Sequence, residues 1–145
     1  MSDQLATIVV GAVLLLHGLG HGGALGAIVW IAARPGTKTG GWTAARSWLL
    51  PGLSPRSATM LASAFWITSL VGFVGAALAL WGILLPLDTW RPLADVAAVV
   101  SLVGIFLFLG DWPIFNTVAA VVVDVAVLVA VLVLDWPPTV SITGT

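Results

Sequence analysis

The sequence has no cysteine, no tyrosine and no glutamate, and it has few charged residues of any kind. All six acidic residues are Asp, and charged residues make up 8% of the chain, against about 25% in a soluble domain. The lack of cysteine excludes disulfides, thiolate metal sites and dithiol redox chemistry. The net charge of -1 provides no basic surface, so we expect no nucleic-acid partner.

Hydrophobic residues are abundant instead, at 60% of the 145 residues. A bilayer core of about 30 Å needs roughly 20 apolar residues in a helix. Four segments reach that length, at about 5–33, 57–85, 92–109 and 113–134. An open sheet cannot satisfy its backbone hydrogen bonds in lipid, so helices are predicted. The sequence thus predicts an all-α fold, an integral membrane four-helix bundle forming one domain over 1–145, with membrane lipids around it.

Four of the five basic residues fall in the first loop: Arg34, Lys38, Arg46 and Arg56. The positive-inside rule places this loop in the cytoplasm and both chain termini outside, an N-out/C-out arrangement. We expect the cytoplasmic (inner) membrane of a bacterium or archaeon. The loop also contains a segment at 42–50 that is either a short interfacial helix, with Trp42, Ala45 and Leu49 toward lipid, or an ordinary loop with tryptophan anchors.

Turn residues mark a tight hairpin between the third and fourth helices. Gly110 suits a helix C-terminus and Asp111 an N-cap, because glycine adopts left-handed backbone angles and Asp accepts from the free N–H groups of a first turn. The sequence therefore predicts that Asp111 caps the fourth helix.

The first helix carries two histidines and a row of glycines. His17 and His21 are four residues apart and share one face of the helix. Small residues four apart allow close approach of another helix, and they occupy a second face: Gly18, Gly22 and Gly26. We expect the glycines to serve helix packing and the histidines to face a polar site.

Asp124 is a lone carboxyl group near the middle of the fourth helix. An ionisable group there costs ~2.5–3.5 kcal/mol on insertion scales and faces a protein interior or a cavity. With a rise of ~1.5 Å per residue, His17 and Asp124 fall at similar depths in the predicted topology. Asn116 and Ala120 are on roughly the same side of the helix as Asp124.

Three interpretations of His17, His21 and Asp124 are open. The first is a structural hydrogen bond or ion pair that joins the first and fourth helices. The second is a binding site for a quinone or a porphyrin-type pigment. The third is a proton or metal-ion path, since two imidazoles and a carboxylate can bind a divalent metal.

The stretch His17-Gly18-Leu19-Gly20-His21 resembles the first-helix signature of the DoxX-like family of small four-helix membrane proteins. That signature has a His-Gly pair followed three positions later by Lys, and His21 stands at the Lys position here. The resemblance implies a quinone-linked redox function.

From these features we predict a small accessory or structural subunit of a larger respiratory or photosynthetic electron-transfer complex, with other membrane subunits as partners. The alternatives are a quinone- or pigment-binding redox protein and a proton or metal-ion transporter. No phosphate loop, dinucleotide fingerprint or nucleophile triad indicates an enzyme.

Overall fold

The computed structural model describes residues 2–34 and 44–138, and four helices account for most of them. The helices are α1 (Asp3–Ala33), α2 (Pro55–Leu80), α3 (Trp90–Leu107) and α4 (Ile114–Leu128). A 3-10 turn over Leu87–Thr89 leads into α3, and a π-helical turn over Val129–Val133 extends α4. Within the described ranges there is no strand, as predicted.

All four helices are long and apolar enough to cross a membrane. The candidate spans are Asp3–Ile31, Pro55–Leu80, Leu87–Leu107 and Ile114–Val133. Large apolar side chains such as Leu16, Met60 and Phe115 are between 65% and 80% exposed on them. Exposed apolar surface on this scale suits a lipid environment, as expected of a membrane protein.

Local sequence sets the helix boundaries. Ser2 and Ser54 accept backbone hydrogen bonds at the starts of α1 and α2, and Pro55 needs no hydrogen-bond partner there because it has no N–H. The prediction that the second helix runs to residue 85 is wrong by five residues. The chain leaves the helix after Leu80 because Gly82, at φ +68°, takes a left-handed turn that ends helices.

Neighbouring helices pack antiparallel in chain order, α1 on α2, α2 on α3 and α3 on α4. A Cβ on Gly18 would lie 3.1 Å from Phe73, whereas one on Gly11 would overlap the Trp81 ring, so α1 and α2 run in opposite directions. The same applies to α2 and α3, where Gly104 faces Phe65.

Two apolar clusters fill the bundle, one toward each end. One cluster includes Leu14, Phe73 and Trp90, and the other includes Trp66, Phe108 and Trp112. The second cluster lies beside the turn between α3 and α4, which we call the hairpin end. His17, His21, Ser101 and Asp124 lie at the level between the two clusters. The core therefore consists of two apolar layers with a polar layer between them.

The hairpin end is closed by the first loop. Asp111 Oδ2 accepts the Arg46 backbone N–H at 2.6 Å, and the Trp48 indole donates to the Phe106 carbonyl at 2.6 Å. The prediction that Asp111 caps α4 is therefore wrong: Pro113 holds the N-cap position, and the Asp111 carboxylate is committed to the loop. Gly110 adopts the left-handed angle expected of it, with φ +96°.

Residues 44–50 form no helix, so the interfacial-helix interpretation is wrong for that part of the segment. Ala45, predicted to face lipid, is 4% exposed, because the bond from Arg46 to Asp111 pulls this stretch against the hairpin. Leu49 is exposed as expected. Trp42 and Lys38 lie outside the described residues.

Candidate functional site

Asp124 is the centre of a hydrogen-bond network that joins three helices. Its side chain is fully buried, and both carboxylate oxygens have partners. His17 Nε2 lies 2.8 Å from Oδ1, and the Ser101 hydroxyl donates to Oδ2 at 2.6 Å. Ser101 Oγ also lies 3.2 Å from His21 Nε2. The network therefore runs from His21 through Ser101 and Asp124 to His17.

Proton counting assigns the direction of each bond when Asp124 is ionised. A serine hydroxyl has one proton to donate, and Ser101 gives it to the carboxylate. Ser101 must then accept from His21, so His21 carries a proton on Nε2. A carboxylate only accepts, so His17 also donates from Nε2. Every polar atom of this layer that takes part in the network is satisfied in this way.

Aromatic rings from α2 hold the two histidines in place. The His21 ring is stacked on Trp66 at 5.4 Å and on Phe73 at 5.9 Å between centroids. Trp66 and Phe73 are two helical turns apart, about 10.5 Å, so the imidazole lies between them. His17 meets Phe73 edge-on at 4.7 Å. These contacts restrict rotation of both imidazoles.

A cleft between α1 and α4 leads to this network. Its volume is about 230 Å³, and His17 and His21 form part of its wall, together with Gly20 on α1 and Ala120 on α4. Leu16 and Phe115 line it and are 68% and 80% exposed. Both residues belong to candidate spans, so in a membrane the cleft would open toward lipid. It also reaches Trp112 and Asn116, near the hairpin end.

The structure brings His17, His21 and Asp124 together, with one possible ligand atom from each within 4.8 Å of the others. The glycines are not all placed alike. Gly18 is buried against α2, and a Cβ on Gly22 would make ordinary contact with Leu70. Gly26 has open space around it within the part of the chain that the structure describes. Asn116 and Ala120 line the cleft, on the side of α4 expected for them.

Sequence reasoning missed the roles of Ser101, Trp66 and Phe73. Ser101 shares a face of α3 with the small buried residues Ala94, Ala97 and Gly104, and such a stripe by itself indicates only helix packing. Its mid-helix position is compatible with a bond to Asp124, but it is equally compatible with a bond to the backbone of its own helix. The spacing of seven between Trp66 and Phe73 places both on one face of α2.

Comparison of the chain with profiles of known protein families, with curated protein sequences and with solved structures found no match. The resemblance to the DoxX-like family stays a prediction. The polar layer and the cleft are therefore the features that bear on the function of the protein.

Proposed function

We propose that this membrane protein binds the head group of a lipid-soluble quinone in the cleft between α1 and α4. The observation that carries the proposal is a lipid-facing cleft that ends on a buried polar network, His17, His21 and Asp124 with Ser101. Ligand sites are mostly apolar clefts with a few convergent polar groups. A quinone reaches such a site from the bilayer without entering water.

The size of the cleft favours a single ring system. Pockets for drug-sized ligands measure about 300–1,000 Å³, and this cleft is smaller, at about 230 Å³. A porphyrin-type macrocycle is a poor fit.

Trp66 supplies a hydrogen-bond donor for a ring carbonyl. It lines the cleft, it is 2% exposed, and its indole Nε1 finds no acceptor among the described residues. A buried donor without a partner carries a desolvation cost of ~1–3 kcal/mol. A quinone oxygen that accepts this bond removes the cost.

The test uses two glycines of α1 that both have open space around them. Gly20 lines the cleft, whereas Gly26 does not. In detergent, titration with a short-chain benzoquinone should quench tryptophan fluorescence in a saturable manner. Gly20→Leu fills the cleft and should weaken binding at least tenfold, and Gly26→Leu should leave it unchanged. No saturable quenching of the wild type, or equal effects of both substitutions, would contradict the proposal.

The predicted accessory-subunit role remains a second candidate because Gly26, on the predicted packing face, lies on open surface. A helix of another subunit has room to approach there. We further propose the N-out/C-out orientation in a bacterial or archaeal cytoplasmic membrane, supported by the position of Arg46 and Arg56 at the hairpin end.

A further inference from the structure

The polar layer has the composition and geometry of a metal site. We propose that His17, His21 and Asp124 bind one divalent first-row transition metal ion of the Zn²⁺ type, with an open coordination position toward the cleft. This inference does not depend on quinone binding, and its test contains no quinone.

The ligand set selects the class of ion. Imidazole suits Zn²⁺, Cu²⁺, Fe²⁺ and Ni²⁺, whereas Ca²⁺ and Mg²⁺ require shells of oxygen ligands. Two imidazoles and one carboxylate with a fourth position free is a frequent arrangement for zinc with an exchangeable ligand. The carboxylate of Asp124 offsets part of the charge of the ion within the apolar core.

The distances require only small adjustments, in which His21 moves closer and the His17 and Asp124 ligand atoms separate slightly. The three possible ligand atoms lie within 4.8 Å of one another. Around a tetrahedral ion with bonds of about 2.0–2.2 Å, ligand atoms are separated by roughly 3.4 Å. His17 Nε2 and Asp124 Oδ1 are already closer than that, at 2.8 Å. The remaining change falls mainly on the approach of His21.

The surroundings supply the support that metal ligands usually have. Ser101 donates to the second oxygen of Asp124 at 2.6 Å, which leaves Oδ1 to face the ion. Trp66 and Phe73 fix the plane of His21. His17 and His21 line the cleft but Asp124 does not, so an ion between them has its free position on the cleft side.

Binding replaces protons by the ion. Each histidine binds the ion as a neutral imidazole through Nε2, so its one proton must be on Nδ1. The protons that His17 and His21 now carry on Nε2 therefore move to Nδ1 by exchange with solvent when the metal takes their place. The cleft provides the entry path, because it continues to Trp112 and Asn116 near the hairpin end. No electron transfer is involved.

The experiment uses the full chain without a polyhistidine tag, in mild detergent, after treatment with a chelator and its removal. Titration with Co²⁺ should give the visible absorption bands of tetrahedral cobalt and saturate at one ion per chain, and Zn²⁺ should displace it. Zn²⁺ should also raise the melting temperature, because it binds the folded state.

Ligand variants on two helices locate the ion. Asp124→Asn and His21→Gln should each lower cobalt affinity at least tenfold, while Ser69→Ala, at a buried hydroxyl outside both the ligand set and the cleft lining, should not. Circular dichroism and gel filtration show which variants remain folded. Absence of tetrahedral cobalt bands in the wild type overturns the proposal. So does unchanged affinity in either folded ligand variant, which would place the ion elsewhere.

Discussion

Ser101 and Ser69 are both fully buried serines, and they differ in whether the hydroxyl has a partner. Ser101 bonds to Asp124 and His21, whereas Ser69 Oγ has no hydrogen-bond partner among the described residues. Substitution by alanine removes the same atom in each case. Comparing the two alanine variants therefore separates the contribution of the network to stability from the contribution of a buried hydroxyl alone.

We expect Ser101→Ala to lower the free energy of unfolding by about 1–3 kcal/mol, because it leaves Asp124 Oδ2 and His21 Nε2 unsatisfied. Ser69→Ala should have little effect or stabilise the protein slightly. Unfolding in detergent, followed by circular dichroism, measures both. Equal losses for the two variants would show that the network contributes nothing to stability.

Part of this residue-scale site could be predicted. The depths of His17 and Asp124 follow from helix length and direction, and the two residues meet as that calculation implies. Ser101 could not be assigned from sequence, because a hydroxyl in an apolar helix bonds equally well to its own backbone or to another helix. Only packing shows which bond forms.

At the scale of the helices, Gly18 and Gly26 differ in what surrounds them. A Cβ at Gly18 would lie 3.1 Å from Val74 and 3.2 Å from the Leu70 carbonyl oxygen, and this oxygen belongs to the backbone and moves little. A Cβ at Gly26 would meet no atom of the described residues within 4 Å. The two positions therefore respond differently to the same substitution.

Gly18→Ala should destabilise the purified chain, because overpacking costs typically 1–3 kcal/mol and exceeds the gain of about 1 kcal/mol in helix propensity. Gly26→Ala retains only that gain and should be neutral or stabilising. Melting temperatures in one detergent provide the measurement. A stable Gly18→Ala variant would mean that α1 and α2 separate easily.

A larger side chain at Gly26 tests the prediction that the protein is an accessory subunit. Gly26→Leu should leave the isolated chain folded but remove co-purifying membrane proteins on a native gel, if another subunit packs there. An unchanged gel pattern would show that no other subunit packs on the face of α1 that contains Gly26.

Helix number and type could be predicted because segments of about 20 apolar residues have few other structures in a bilayer. Boundaries were harder to predict. The run of apolar residues continues through Ile83, Leu84 and Leu85, yet the left-handed turn at Gly82 ends α2 earlier. Hydropathy does not register such backbone angles, and it does not show that Asp111 bonds to a loop 65 residues away.

At the scale of the whole molecule, the two ends of the bundle differ in their charged residues. The hairpin end carries Arg46 and Arg56, and the opposite end carries the ion pair between Arg91 and Asp135. The chain has no cysteine, so a single introduced cysteine is a clean probe.

Arg56→Cys should be protected from an impermeant thiol reagent in intact cells, and Asp88→Cys should be labelled. The reason is the excess of basic residues at the hairpin end, which favours the cytoplasmic side. Both positions are exposed, so burial does not prevent labelling. Labelling at Arg56→Cys with protection at Asp88→Cys would show the opposite orientation. The cleft would then reach toward the external side of the membrane.

The hydrogen bond between His17 and Asp124 can form only late in biosynthesis, because its partners are 107 positions apart in the chain. Helices enter the bilayer in order of translation, so His17, His21 and Ser101 are inserted before the carboxylate that completes their network exists. Until the last helix arrives, the His17 imidazole of the nascent bundle lacks its carboxylate partner, and afterwards it has one. A quality-control protease that recognises polar groups in lipid would therefore distinguish a three-helix fragment from the finished protein.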